Sequence, residues 1–275
     1  MHPRPNLFLI GAPKAGTTAL ATYLADHPNV VMSRPKEPMF WCTDLSSGAH
    51  ELRPGSLKEY LDLFRVASSD GTTITHLGEA STKYLRSHVA IPRIVDFNPE
   101  AKFIAVVRNP IEVVQAFHME QVYQGQEPDG DFMTAWRDQD RREAEYDGQL
   151  RAGRSTEELL YRQVAAFPEQ LRRLEGAVAP ERRLVIVFDH FRSDPAAVWR
   201  RVLDFLDLPD DGRADFPRVN AAHEQRFPRL SARLLHPPRP LQPVLRTARR
   251  RFIDRPNPVI TRLKAAMNVA RERPS

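Results

Sequence analysis

The sequence predicts an α/β fold, three layers deep, with a central and mainly parallel sheet between helices, and three observations predict it. Short continuous apolar runs of strand length recur along the chain. They alternate with segments whose apolar residues repeat at helical spacing, and the first run leads through a glycine-bracketed loop into a helix. Strands buried on both faces read as unbroken apolar runs, the pattern of a parallel sheet covered by helices.

The elements follow in chain order. NLFLI, residues 6–10, is a strand bounded by prolines before it and Gly11 after it. Beyond the loop GAPKAG, the stretch TTALATYLADHP is helical: Leu20, Tyr23 and Leu24 share a face, and Thr17 or Thr18 is placed to cap the N-terminus. ITHLGE at 74–79, KFIAVV at 102–107 and LVIVF at 184–188 are further strands. Between them, helices are expected along EVVQAFHMEQVY from Glu112, along DFMTAWRDQDRREAEY, and along EELLYRQVAAFPEQLRRLEG. A last one, PAAVWRRVLDFLDL, starts at Pro195, a residue favoured in the first helical turn.

Composition excludes several classes. With 275 residues, 41% hydrophobic and 27% charged, the chain is long enough for a sizeable core and too ordinary for a disordered or fibrous protein. Its apolar runs hold five or six residues, whereas a membrane span needs about 20. The opening MHPRPNLFLIGAPK is too short in apolar residues for a secretory h-region, so a cytoplasmic protein with no transmembrane segment is expected. The single Cys42 allows neither an internal disulfide nor a Cys-rich zinc site. No HExxH, no GxSxG and no nucleic-acid-binding module occurs, which leaves no metal site and no sequence-specific nucleic-acid partner to expect.

The net charge of +5 is unevenly spread: residues 226–275 hold 13 Lys and Arg against 2 Asp and Glu, so the body is acidic and the tail basic. Eight prolines fall in that tail, including PPRPLQP at 237–243, an extended connection. Val259, Ile260, Leu263, Met267 and Ala270 then share one helical face, suited to docking on the body or to peripheral contact with a membrane or partner. The expected organisation is an α/β domain over 1–230 and a basic Pro-rich extension over 231–275.

The chemistry gathers in GAPKAGTT, residues 11–18. A loop that leaves a buried strand and opens a helix aims backbone N–H groups and the positive helix end at one point, where an anion binds. Gly11 and Gly16 permit close backbone approach, Lys14 adds a point charge, and the Thr17 and Thr18 hydroxyls add donors. The loop is P-loop-like but departs from GxxxxGK followed by Ser or Thr: Thr17 stands at the Lys position and Lys14 lies inside the loop.

PKAGTT at 13–18 resembles the 5′-phosphosulfate loop of the sulfotransferase family that uses 3′-phosphoadenylyl sulfate (PAPS). The resemblance continues in order through RPKEPMFW at 34–41, similar to the KEP segment of the bacterial and carbohydrate-type branch, and GEASTKYL at 78–85, similar to its GEASPxYL segment. VVRNPIEVVQAFH at 106–118 resembles the 3′-phosphate strand and helix, and residues 187–209 resemble the closing strand, loop and helix. Residues 6 to about 230 are covered.

The resemblance implies a site and a reaction, in which a sulfuryl group passes from PAPS to a small-molecule or glycan hydroxyl or amine and PAP is released. It implies that Lys14 stabilises the leaving phosphate and that Pro13 and the backbone from Ala15 through Gly16 and Thr17 to Thr18 hold the 5′-phosphate. It implies Glu37 as general base, Arg108 on the 3′-phosphate, Arg226 in a late basic loop with Arg229 as its alternative, and Lys83 and Tyr84 facing the acceptor. A Ser and an Arg that the family places after Arg108 are here Ala116 and Val113, which leaves Gln115 or His118 as substitutes. The plain alternatives are an exposed Glu37 paired with Lys36, an Arg108 paired with Glu112 four residues on, and a His118 satisfied within its helix. Two rival functions remain: a nucleotide kinase or ATPase with Asp189 on Mg²⁺, and a PAP-binding protein without turnover.

Overall fold

The computed structural model describes residues 4–45, 53–64, 73–151 and 156–217, together with the short segments 223–225 and 268–270. Among the described residues, β1 (Leu7–Gly11), β2 (Val30–Met32), β3 (His76–Ala80), β4 (Lys102–Val107) and β5 (Arg183–Val187) form one five-stranded sheet in the order β2-β3-β1-β4-β5. Every neighbouring pair is parallel. Every residue of β1 is buried, and Phe8 stacks on Phe103 of β4 with ring centroids 5.6 Å apart, as an unbroken apolar run at the centre of a covered sheet requires.

Helices connect and cover the strands: α1 (Thr17–Asp26), α2 (Leu57–Leu61), α3 (Ala90–Phe97), α4 (Pro110–Tyr123), α5 (Phe132–Arg137), α6 (Gln139–Arg151), α7 (Tyr161–Val164), α8 (Phe167–Ala177), α9 (Phe188–Ser193) and α10 (Pro195–Leu206). The expected α/β architecture is therefore observed, with differences at element ends. DFMTAWRDQDRREAEY divides into α5 and α6 at Asp138, which closes the first of them. The stretch 157–176 divides because Pro168 lies in the first turn of α8, where it lacks the N–H that would continue a helix from α7. Phe188, expected to end a strand, opens α9. β2 carries no apolar run long enough to announce it.

The sheet order puts β1 at a switch point. From β1 the chain moves to one side through β2 and β3, then crosses to the other for β4 and β5, so the loop after β1 opens into the crevice where ligands of such sheets bind. Helices α1, α9 and α10 meet around Tyr23, whose ring makes edge contacts with Phe191 and Trp199, 6.1 and 6.2 Å between centroids. Its hydroxyl donates to the Pro217 carbonyl at 2.8 Å, pinning the segment after α10 to α1.

A buried ionic strut ties the loop after α4 to α6 and α7. Glu127 has no exposed side-chain surface and accepts from Arg142 at 2.7 Å and from the Tyr161 hydroxyl at 2.6 Å. Burial works against this anion, but the bonds from Arg142 and Tyr161 outweigh it and hold the Glu127 carboxyl below its ordinary value. A carboxyl with a depressed folded-state pKa stabilises the fold above its unfolded pKa, and that contribution disappears as pH falls through the folded value. Glu127→Ala is expected to cost about 3 kcal/mol at pH 7, because it strips a largely buried Arg142 of its buried counter-charge. The cost should shrink towards pH 3, as urea unfolding at the two pH values would reveal.

The amphipathic helix expected to run to Ala270 does not reach that far: Asn268–Ala270 is a strand, β7, paired antiparallel with β6 (His223–Gln225). The Pro-rich connection and the rest of that helical stretch lie outside the described residues, as do Arg226 and Arg229. Among the described residues, no helix is long and apolar enough to cross a membrane.

Candidate functional site

Because the sheet is parallel, the C-terminal ends of its strands deliver their following loops to one edge. The loop after β1 starts with a buried Ala12 and ends at Gly16, the N-cap of α1. Gly16 has φ 81° and α1 carries no side-chain cap, so the expected capping by Thr17 or Thr18 does not occur. Both threonines belong to the first helical turn, whose N–H groups have no intrahelical acceptor. The result is a concentration of donors at the positive end of a ten-residue helix.

Gly16 is required twice over. Its backbone is left-handed, and a Cβ added there would stand 2.9 Å from the Phe188 ring. Gly16→Ala is therefore expected to destabilise the fold by about 1–3 kcal/mol, read as a lower urea midpoint, and to displace the loop from the ring. Lys14 also adopts a left-handed backbone, φ 58°, at the outer turn of the loop.

Arg108, one residue beyond β4, braces the loop from the side. Its Nη1 donates to the Lys14 carbonyl at 3.1 Å, and its guanidinium lies over the Phe188 ring, 4.9 Å from the centroid. It also forms the ion pair with Glu112 four residues on, Nε donating at 2.8 Å. The pairing expected as the plain alternative is thus made, and the loop contact is made with it.

The Lys14 ammonium points across the loop to α4, where its Nζ lies 3.6 Å from Glu120 Oε1. Burial pushes the Glu120 carboxyl up, Lys14 pulls it down, and the charges of Glu37 and Glu158 push it up again. Glu37 and Glu158 therefore lie within electrostatic reach of the same spot. Glu120 is not among the residues the sequence singles out; on the polar side of a long helix nothing distinguishes it from a solvated carboxylate.

Glu37 belongs to the segment after β2 and has φ 61°. Its N–H donates to the Ala80 carbonyl at 3.0 Å, which fastens the segment to the end of β3. Its carboxylate is half-exposed and accepts from Lys36 at 2.6 Å, the pairing named as the plain alternative. Lys83 sits against Glu158 at 2.8 Å, and Arg86 approaches the same oxygen at 3.0 Å. Burial opposes the Glu158 anion, but these two cations more than offset it and lower its pKa.

Other expectations need correction. Tyr84 does not face an acceptor: it is fully buried, and its hydroxyl accepts the Trp41 N–H at 3.2 Å. His118 is buried between the Phe132 and Tyr161 rings with Nε2 on the Asp129 carbonyl at 2.9 Å, so it is a packing residue rather than an anion ligand. Val113 is wholly buried, whereas Gln115 is exposed. Asp189 lies in the first turn of α9, half-exposed and paired with Arg192 at 2.9 Å. Among the described residues, no group of three or more His, Cys, Asp or Glu could hold a metal ion.

Loop, lysine and switch-point sheet define an α/β protein with a glycine-bracketed, lysine-bearing loop at the end of its first strand. The profile of the sulfotransferase family matches residues 5–212, and the chain belongs to that family. This membership removes the nucleotide-kinase reading, in which Asp189 was to hold magnesium. The crystal structure of a sulfotransferase from Alicyclobacillus acidocaldarius shares the fold with a TM-score of 0.64 at 24% identity, covering 88% of this chain and 99% of its own. A bifunctional heparan sulfate N-deacetylase/N-sulfotransferase 1 of Mus musculus is 31% identical over 117 residues, 42% of this chain. Carbohydrate sulfotransferase 15 of Rattus norvegicus is 31% identical over 144 residues, 39% of this chain. The matched regions span 13% and 26% of those two relatives.

Proposed function

We propose that this chain transfers a sulfuryl group from PAPS to a hydroxyl or amine of a glycan or other small-molecule acceptor. PAPS supplies an activated sulfuryl group on a phosphate leaving group; the chain's residues supply position and charge. The observation that carries the reading is the cradle itself: Lys14 on a loop braced by Arg108 and opposite Glu120, a carboxyl that also feels the charge of Glu37. Such transfers pass through a loose in-line displacement in which negative charge grows on the leaving oxygen, so fixed cations and N–H donors aimed there do most of the work.

Under this reading Pro13, Ala15, Gly16, Thr17 and Thr18 shape the cradle around the 5′-phosphosulfate, and Lys14 neutralises the bridging oxygen as its bond to sulfur breaks. Glu37 takes the proton from the acceptor atom as that atom bonds to sulfur, so the proton ends on the carboxylate and the electron pair on the phosphate. Arg108 holds the 3′-phosphate, with Gln115 on the exposed side of α4 in place of the missing serine contact. Arg226 closes the nucleotide side from the segment after 217. No metal takes part in this scheme. The domain is taken as 1–230, with 231–275 as its basic extension. The glycan acceptor is favoured by the two carbohydrate-acting relatives, whose names describe sulfation of heparan sulfate and of carbohydrate.

Calorimetric titration with PAP tests the donor before the acceptor. PAP should bind the wild-type chain in the micromolar range, while Lys14→Ala and Arg108→Ala should each weaken it by about tenfold or more, the worth of one charge-assisted contact to phosphate. ATP with Mg²⁺ should bind poorly. PAP binding that ignores both substitutions would overturn the assignment. PAP binding without transfer to any acceptor would favour a protein that binds the nucleotide without turnover.

A further inference from the structure

β3 carries a carboxylate that the proposed reaction does not touch. Glu79 is fully buried, a position in which an ionised carboxyl persists only when its oxygens are hydrogen-bonded. Three hydroxyls serve it: Tyr60 of α2 donates to Oε2 at 2.5 Å, Ser81 donates to Oε1 at 2.6 Å, and the Tyr84 hydroxyl is the third. Two of the three also face the segment that carries Glu37. Ser81 Oγ accepts the Met39 N–H, and Tyr84 Oη accepts the Trp41 N–H, each at 3.2 Å. Glu37 and Met39 both have left-handed backbones, φ 61° and 54°, which side-chain-bearing residues keep only with outside support.

The charge on Glu79 sets the direction of these bonds. A hydroxyl has one proton to donate. While Glu79 is ionised, Ser81 and Tyr84 direct theirs to the carboxylate and turn lone pairs to the N–H groups of Met39 and Trp41. Protonated Glu79 becomes a donor itself, one of the hydroxyls must accept from it, and that hydroxyl's own proton is left without an acceptor in a buried place.

We propose that Glu79 is a positioning residue whose charge state fixes the backbone of residues 37–41 and, through it, the Glu37 carboxylate. The consequence for Glu37 as a base rests on the sulfuryl-transfer reading; the hold on the segment does not. Burial pushes Glu79 up to about 7, with the bonds from Ser81, Tyr60 and Tyr84 limiting the rise, so the change of state falls near neutral pH. Around it, β1 presents the apolar Phe8 as register partner, and the 37–41 segment presents the Trp41 ring against Tyr60. Burial and the charge of Glu79 push both tyrosines well above their ordinary values, so both remain donors. His76, on the same strand, lies within the fields of Lys102, Asp207 and His27, and burial lowers its pKa.

Amide resonances of Met39 and Trp41, followed in the full chain from pH 5 to 9, test this. Both should titrate with a midpoint near 7. Tyr60→Phe removes one donor from the anion and should raise the midpoint by about one unit. Glu79→Gln should abolish the titration, while Glu37→Gln should leave it intact. The acidic limb of kcat/KM should follow the midpoint upward in Tyr60→Phe, which a role in packing alone would not produce. Amides that do not titrate, or whose midpoint ignores Tyr60→Phe, overturn the proposal, and so does a limb that stays put while the amide midpoint moves. Should Glu79→Gln fail to fold, Tyr60→Phe and Ser81→Ala still decide. Absence of any sulfuryl transfer would sink the functional reading alone, with the amide titration still deciding the role of Glu79.

Discussion

Lys14→Ala is expected to lower kcat for sulfuryl transfer by about 10²- to 10³-fold, the loss typical when one preorganised donor to a developing oxyanion is removed. The effect should exceed the loss in PAP affinity, since a charge that grows on the leaving oxygen during reaction is felt more strongly in the transition state than in the bound ground state. The surroundings of Lys14 sharpen the expectation. Its ammonium lies 3.6 Å from Glu120, a carboxyl that burial and the charges of Glu37 and Glu158 already push up. Removing the cation leaves that carboxyl without its main stabilising charge, and Glu120 should then bind a proton more readily. Lys14→Arg keeps the charge but replaces a compact ammonium on a four-carbon stem by a broad planar fork, and should restore PAP binding better than turnover. Single-turnover rates beside PAP titrations separate the two quantities. A Lys14→Ala enzyme with unchanged single-turnover rate would remove the lysine from the chemistry.

The contrast between Lys14 and Glu120 shows what the sequence can reveal. Lys14 stands in a loop bracketed by Gly11 and Gly16 between an apolar run and a helix, and each of those signals is local, so the cradle is legible in the residues alone. Glu120 becomes part of the site only because α4 packs so that this residue meets the β1 loop, a contact between parts of the chain over a hundred residues apart. Tyr84 escapes sequence reasoning for a related reason. GEASTKYL names the residues, but only the turn after β3 sends Tyr84 inward to the Trp41 N–H and Lys83 to Glu158. Strands β1, β3, β4 and β5 are visible as apolar runs, whereas β2 has three residues whose pairing with β3 comes from the sheet rather than from Val30–Met32 themselves. Helix breaks at Asp138 and before Pro168 are hidden by apolar spacing that continues through them, although the proline itself supplies the physical reason for one.

Lys14 pairs with Glu120, whose carboxyl also feels the charge of Glu37, and the second large effect decides between these two carboxylates. Glu37→Gln keeps the shape of the side chain and its capacity to accept a hydrogen bond but leaves no basic oxygen, so kcat should fall by about 10²- to 10⁴-fold with PAP affinity nearly unchanged. Glu120→Gln is expected to act differently. Glu120 neutralises Lys14 in the free protein, and its loss frees the lysine charge for the donor, so PAP should bind more tightly while kcat changes less than in Glu37→Gln. The proposed reading assigns the base to Glu37. Its carboxylate is half-exposed on a segment fastened to Ala80, and its Lys36 partner lies on the same segment rather than in the cradle. The Glu120 carboxylate faces the lysine itself. If Glu120→Gln instead abolishes turnover and Glu37→Gln is mild, proton transfer belongs to α4, and the Lys36–Glu37 pair is a surface feature worth well under about 1 kcal/mol. Pre-steady-state rates for both variants, measured with PAP affinities alongside, distinguish the two outcomes, because only the true base loses the chemical step while keeping the nucleotide.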